Sequence, residues 1–149
     1  MIKVFSNEKS ELGEAPLWHP ARESLFWLDI LKQTLYEKAF DSIEADFDKS
    51  WQLPEISSAL ALDGESNNSI LMVTNLCFGR LDLDTGVFCS LISLPIDEHK
   101  RANDGGVGPN GEFWFGTMEK KPTGNNGNIY SLSPSGKLTH QLAKMGIPN

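Results

Sequence analysis

The sequence predicts an all-β protein organised as a β-propeller of four-stranded blades. Three observations carry this expectation. No window places apolar residues at i, i+3, i+4 and i+7 between capping residues, so nothing reads as an amphipathic helix. Short apolar runs alternate instead with Gly, Pro, Asn and Asp turn clusters. One order of strand, polar loop, apolar strand, turn and alternating strand occurs three times, with Leu25, Ile70 and Glu112 at equivalent places 45 and 42 residues apart. A period of about 40 to 50 residues holding four strands is characteristic of propeller blades. Strand density alone would also fit an all-β sandwich of about eight to ten strands; the thrice-repeated order favours the propeller.

In chain order, residues 2–5 read as a first strand. Gly13-Glu14-Ala15-Pro16 reads as a turn and Leu17-Trp18 as a short strand, followed by the polar loop 19–24 and the apolar strand 25–30. Residues 34–40 alternate in the manner of a strand, and 50–53 begin another. The second copy has strands at 58–62, 70–74, 79–84 and 87–91, with a loop at 63–68 and a turn at Thr85-Gly86. The third has Gly106-Val107, the turn Pro109-Asn110-Gly111, then 113–116, 128–132, the turn Pro134-Ser135-Gly136 and 138–142. Trp18, Trp27, Trp51 and Trp114 recur beside strands, where such large rings fill the space between blades. Three blades do not close a ring, so residues 1–149 are expected to form a partial propeller whose apolar flanks are covered by association or by further chain.

Composition sets the broad class. A chain of 149 residues with 40% hydrophobic and 22% charged residues is ordinary for one globular domain. The formal charge of −7 argues against nucleic acid or an anionic membrane as partner and suits a cation. No apolar run approaches the roughly 18 residues of a membrane span, and the N-terminal segment lacks the apolar centre of a signal peptide. The expected compartment is the cytoplasm. Cys77 and Cys89 have no His-rich or Cys-rich company to make a zinc site. They read as two buried free thiols, the alternative being a pair facing across a hairpin.

The segment Arg101-Ala102-Asn103-Asp104-Gly105 sets a cation, an amide and a carboxylate directly before a turn cluster and the apolar run Phe113-Trp114-Phe115. Such groups are costly in a core unless paired, which makes this a polar rim and the candidate floor of a binding site. Arg101 would present a planar fork to oxygens of a small polyol, and Asn103 both a donor and an acceptor. The plainer alternative is an Arg101–Asp104 surface pair with Asn103 in an Asx-turn. Asp104 itself reads as structural, bonding backbone amides. His19, His99 and His140 are scattered and carry no assigned chemistry. Gly124-Asn125-Asn126-Gly127 reads as a loop tip, since no helix follows to cradle a phosphate. Neither a Gly-x-Ser-x-Gly elbow nor a Cys with a companion base is present, so covalent catalysis is not expected.

Gly13-Glu14-Ala15-Pro16-Leu17-Trp18, Arg101-Ala102-Asn103-Asp104-Gly105, Gly116-Thr117-Met118 and Ile147-Pro148-Asn149 occur in that order. With these motifs the chain resembles the senescence marker protein/gluconolactonase family, which includes regucalcin, over the N-terminal half of the family's pattern. The resemblance implies a six-bladed propeller with one divalent metal in its central tunnel and an activity that opens the rings of sugar lactones. It implies Glu14 and Asn149 as metal ligands, with calcium, zinc, magnesium or manganese as the ion, and Arg101 and Asn103 as residues that hold the substrate's oxygens. A Glu that contacts the sugar in some members falls at Lys121 here, with Glu119 two residues earlier. The family's Asp, metal ligand and general base, belongs to the second half of the pattern, beyond residue 149. No catalytic residue is therefore assigned within the chain, which is expected to be inactive alone, with a sugar lactone as the substrate of the completed ring. The alternative is a non-catalytic calcium-binding or interaction module.

Overall fold

A computed structural model of the protein describes residues 3–43 and 45–149. Among them are twelve β-strands in three antiparallel meanders. The first sheet holds β1 (Gly13–His19), β2 (Ser24–Asp29), β3 (Thr34–Ala39) and β4 (Lys49–Gln52); the second, β5 (Ser57–Leu62), β6 (Ser69–Thr74), β7 (Cys77–Asp82) and β8 (Phe88–Ser93); the third, β9 (Lys100–Val107), β10 (Phe113–Glu119), β11 (Gly127–Leu132) and β12 (Leu138–Met145). The leading strands β1, β5 and β9 touch one another, so the sheets fan out from one axis as consecutive propeller blades. The tight turns carry Gly86, Gly111 and Gly136 at positive φ, as their turn sequences require.

The core is two inter-blade layers. Period-two alternation sends Leu60, Ile70, Met72 and Leu81 of the second blade against Phe26, Leu28 and Leu35 of the first. The intervening residues Ala59, Ala61, Val73 and Phe78 meet Ala102, Phe113, Phe115, Tyr130 and Leu132 of the third. A sheet buried on both faces needs a continuous apolar run rather than alternation, and Ile70-Leu71-Met72-Val73 supplies it. The outer strands β8 and β12 are mostly exposed.

Several expectations are corrected. Residues 3–5 form no strand, for want of a ladder partner, and Ile2 lies outside the described residues. Phe5 is held by side-chain chemistry instead: the buried Lys38 donates to its carbonyl at 2.5 Å and lies 4.8 Å from its ring centre. Cys77 is buried but Cys89, on the outer strand β8, is exposed; both are free, and they pair with Ser93 and Arg80 rather than with each other. Of the tryptophans, Trp51 packs against the first inter-blade layer, stacked on Phe26. Trp27 stacks on Tyr36, while Trp18 and Trp114 are 43% and 38% exposed.

Asp29 fastens the segment before β1 to the first blade. Fully buried, it accepts the backbone amides of Glu11 at 2.8 Å, Leu12 at 3.2 Å and Lys32 at 3.2 Å. Burial opposes its charge, yet these three amides and the Lys32 ammonium bring its carboxyl below the usual range. His19 is 3% exposed with Nδ1 unpartnered, and here burial disfavours the charged form without full compensation. Desolvation lowers its pKa below the ordinary 6.5, assisted by the Arg22 charge and resisted by its backbone bond and Glu37.

Two measurements check these assignments. Asp29→Ala strands three amides and is expected to lower the unfolding free energy by about 2–4 kcal/mol in urea titration. Because His19 holds its proton less tightly when folded, the unfolded chain binds it first on acidification. Stability from this residue is complete above the ordinary histidine value of 6.5 and falls as pH drops below it. His19→Leu is expected to flatten that part of the profile.

Candidate functional site

All three leading strands are bulged near their first residues. In β1 the register moves from Glu14↔Leu28 to Leu17↔Phe26, in β5 from Ser57↔Thr74 to Ala59↔Val73, and in β9 from Ala102↔Thr117 to Gly105↔Phe115. Each places one extra residue on the leading strand, which bends it and re-aims its side chains. At β1 the bulge holds Ala15 at φ 53, beside the exposed Glu14. At β9 it lets Ala102 and Asn103 both be buried, which strict alternation forbids. The segment read as a rim is therefore part of the leading strand itself, and Gly13 to Pro16, read as a turn, lies within β1.

Asn103 is the hub of the arrangement. Arg101 Nη1 donates to Asn103 Oδ1 and to the Ala102 carbonyl, both at 2.9 Å. Asn103 Nδ2 donates to the Pro148 carbonyl and to Asn149 Oδ1, again both at 2.9 Å. Arg101, Asn103 and Asn149 thus form one hydrogen-bonded chain, whose longer link joins residues 46 apart in sequence. Glu14 stands within electrostatic reach: burial lowers the Arg101 guanidinium below its ordinary pKa, and the Glu14 carboxylate pulls the opposite way.

Of the three arginines in the sequence, two are neutralised inside their own blades. Arg22 pairs with Glu37 at 2.8 Å and Arg80 with Asp63 at 2.6 Å. Arg101 has no carboxylate within ion-pair distance among the described residues, so the Arg101–Asp104 pair does not form. Asp104 is exposed and accepts one backbone bond, from the Gly105 amide at 2.8 Å. A half-buried cation without a counter-ion favours an incoming oxygen that carries or develops negative charge.

Lys121 is not drawn into this chain. It is exposed on the loop after β10, two residues past the rung that joins Glu119 to Lys100. Glu119 is committed to that loop: it accepts the Thr123 amide at 2.9 Å, the Gly124 amide at 3.2 Å and the Asn126 side chain at 2.8 Å. The bonds to backbone and side chain bring its carboxyl below the usual range.

Two residues that the sequence offers only as members of motifs, with no role assigned to them, position the site. A Cβ on Gly116 would stand 2.7 Å from Pro148, so the absence of a side chain there is what admits the 147–149 segment. Pro148 in turn offers its carbonyl to Asn103. A cavity of about 410 Å³ beside them is lined by Asp104, Trp114, Phe115, Ile129, Pro148 and Asn149. A larger one, about 600 Å³, lies between the second and third blades among turn residues at the other end of the strands, where Arg80 is already paired.

The profile described as the SMP-30/Gluconolactonase/LRE-like region matches residues 12–149. A 6-deoxy-6-sulfogluconolactonase of Pseudomonas putida is 30% identical over 86% of this chain and 43% of its own length. An L-arabinolactonase of Azospirillum brasilense is 26% identical over 97% of this chain and 46% of its own length. The crystal structure of a calcium-binding protein, regucalcin, from Agrobacterium tumefaciens superposes with a TM-score of 0.89 at 33% identity, covering 98% of this chain and 48% of that one. The chain spans about half the length of the relatives it matches.

The contact at Gly116 is open to test. Gly116→Val is expected to push Pro148 aside and cost about 1–3 kcal/mol of stability in chemical denaturation. Gly106→Val, at a position with no atom within 4 Å of an added Cβ, serves as the comparison and is expected to cost less.

Proposed function

The chain belongs to the SMP-30/gluconolactonase/LRE-like family, and from that premise we propose that it carries the metal-holding and substrate-orienting residues of a sugar-lactone hydrolase. One observation carries the reading: Arg101 is a half-buried cation with no ion-pair partner among the described residues, within reach of Glu14 and bonded through Asn103 to Asn149. Lactone opening builds negative charge on the carbonyl oxygen as the tetrahedral adduct forms, and a fixed cation facing that oxygen stabilises the change. Only Nη1 of Arg101 makes bonds among the described residues, so its other N–H groups are available to the sugar. Lys121, exposed at the same end of the third blade, is the rim contact for a hydroxyl in this reading.

Glu14 and Asn149 suit a hard divalent ion such as calcium, magnesium, manganese or zinc. The Glu14 carboxylate makes no hydrogen bond among the described residues, and Asn149 Oδ1 accepts only from Asn103, which leaves it a lone pair. Among the described residues no group of three or more His, Cys, Asp or Glu side chains is placed to hold a metal, so other oxygens complete the coordination. When bound, the ion would polarise the lactone carbonyl and lower the pKa of a bound water. Glu14 and Asn149 hold the ion, and Arg101 orients the lactone beside it.

The regucalcin from Agrobacterium tumefaciens, described as calcium-binding, supports a second reading in which the ion is held without turnover. Calorimetric titration with calcium, together with gluconolactone hydrolysis followed by a pH indicator, separates the two. Under the lactonase reading Arg101→Leu is expected to lower kcat/KM by about 10²–10³-fold. Glu14→Gln is expected to weaken calcium binding by about 10-fold or more. Calcium binding unchanged by Glu14→Gln would remove Glu14 from the ion site. Saturable binding without hydrolysis would favour the second reading.

A further inference from the structure

We infer that the cavity between the second and third blades, at the far end of the strands from Arg101, is a second binding site, one that takes a primary ammonium carried on an apolar ring. The inference stands apart from the ion and lactone reading above, because none of Glu14, Arg101, Asn103 and Asn149 lines this cavity. Val107, which does line it, follows Arg101 on β9 by six residues, about 20 Å at the usual rise of a strand. Its volume of about 600 Å³ falls within the range of small-molecule sites.

The walls are mainly apolar. Phe78 and Phe113 are both buried and meet with ring centres 5.4 Å apart, their planes tilted by 54°. Leu71, Ile92 and Leu132 extend this lining, and Ala61 beside them is too small to fill the space. One group of charges stands at the solvent edge. Arg80 pairs with Asp63 at 2.6 Å and with Glu65 at 2.8 Å, so one guanidinium meets two carboxylates and the group is negative on balance. Asp63 is fully engaged: its buried carboxylate also accepts the Ser69 hydroxyl at 2.6 Å and the Glu65 amide at 3.0 Å. Glu65 is not. Its side chain is 80% exposed, Oε2 accepts from Arg80, and Oε1 has no hydrogen-bond partner among the described residues. An apolar body laid against the two rings, with its ammonium donating to Glu65 Oε1, satisfies both parts of the site. The same body ending in a carboxylate would meet the excess negative charge, and an alcohol would gain the apolar contact alone.

Three probes of similar shape read the sign of that charge: naphthylmethylammonium, naphthylmethanol and naphthylacetate. Each is titrated into the full chain, without metal or lactone, while side-chain methyl resonances are followed. The ammonium is expected to shift the methyl signals of Leu71, Ile92 and Leu132 saturably, and to bind about 2- to 5-fold more tightly than the alcohol. The carboxylate is expected to bind more weakly than either. Glu65→Gln removes the charge of an exposed side chain and keeps its shape, so it is expected to abolish the ammonium's margin and leave the alcohol's affinity unchanged. Shifts confined to methyl groups outside the cavity, or no saturable shift at all, would overturn the site. Binding of the alcohol or the carboxylate as tightly as the ammonium, or an ammonium affinity indifferent to Glu65→Gln, would overturn the assigned ligand class.

Discussion

The structure depends on one sheet having two apolar faces. The second blade sends Ile70 and Met72 one way and Leu71 and Val73 the other, so it needs a neighbour on each side. Large side chains that fill both layers leave little freedom in how the sheets meet, because interiors packed at crystal-like density do not slide. With the first and third blades held this way, their leading strands share an axis with β5 between them. Glu14 on β1 and Arg101 on β9 lie near each other for that reason, though 87 residues separate them.

Convergence of strands brings backbones together; bulges bring the side chains together. A regular strand would point Ala102 and Asn103 to opposite faces, but the extra residue in β9 buries both. The electrostatics then differ from the rest of the molecule. Arg22 and Arg80 are fixed by carboxylates of their own blades and serve the fold. Arg101 is held by an amide and a carbonyl, neutral acceptors that orient it and leave its charge without an ion-pair partner among the described residues. In a chain of formal charge −7 this placement is selective, since carboxylates are plentiful and none among the described residues is within ion-pair distance.

Much of the fold was legible in the sequence because it is written in local patterns. The apolar run 70–74, the alternation at 34–40 and the turns at Thr85-Gly86 and Pro134-Ser135-Gly136 all match observed elements within a residue or two. Local patterns failed where the chain departs from period two. Gly13-Glu14-Ala15-Pro16 carries turn-forming residues yet lies in β1, because a bulge uses the same residue types as a turn. Residues 101–105 read as a rim because their polar groups find partners far along the chain, Asn103 with Pro148 and Asn149, a pairing that no window of local sequence contains. The exposure of Cys89 was hidden too, since apolar neighbours at Phe88, Leu91 and Ile92 mask an outer strand.

The left-handed backbone at Ala15 carries a consequence for anyone breeding a hardier form of this protein. A residue with a Cβ at φ 53 stores on the order of 1 kcal/mol, and glycine at that place would release it. Selection for heat resistance alone would therefore be drawn to glycine, which keeps the kink without strain but lets the backbone beside Glu14 sample a wider range. Robustness and precise aim pull against each other at a single methyl group.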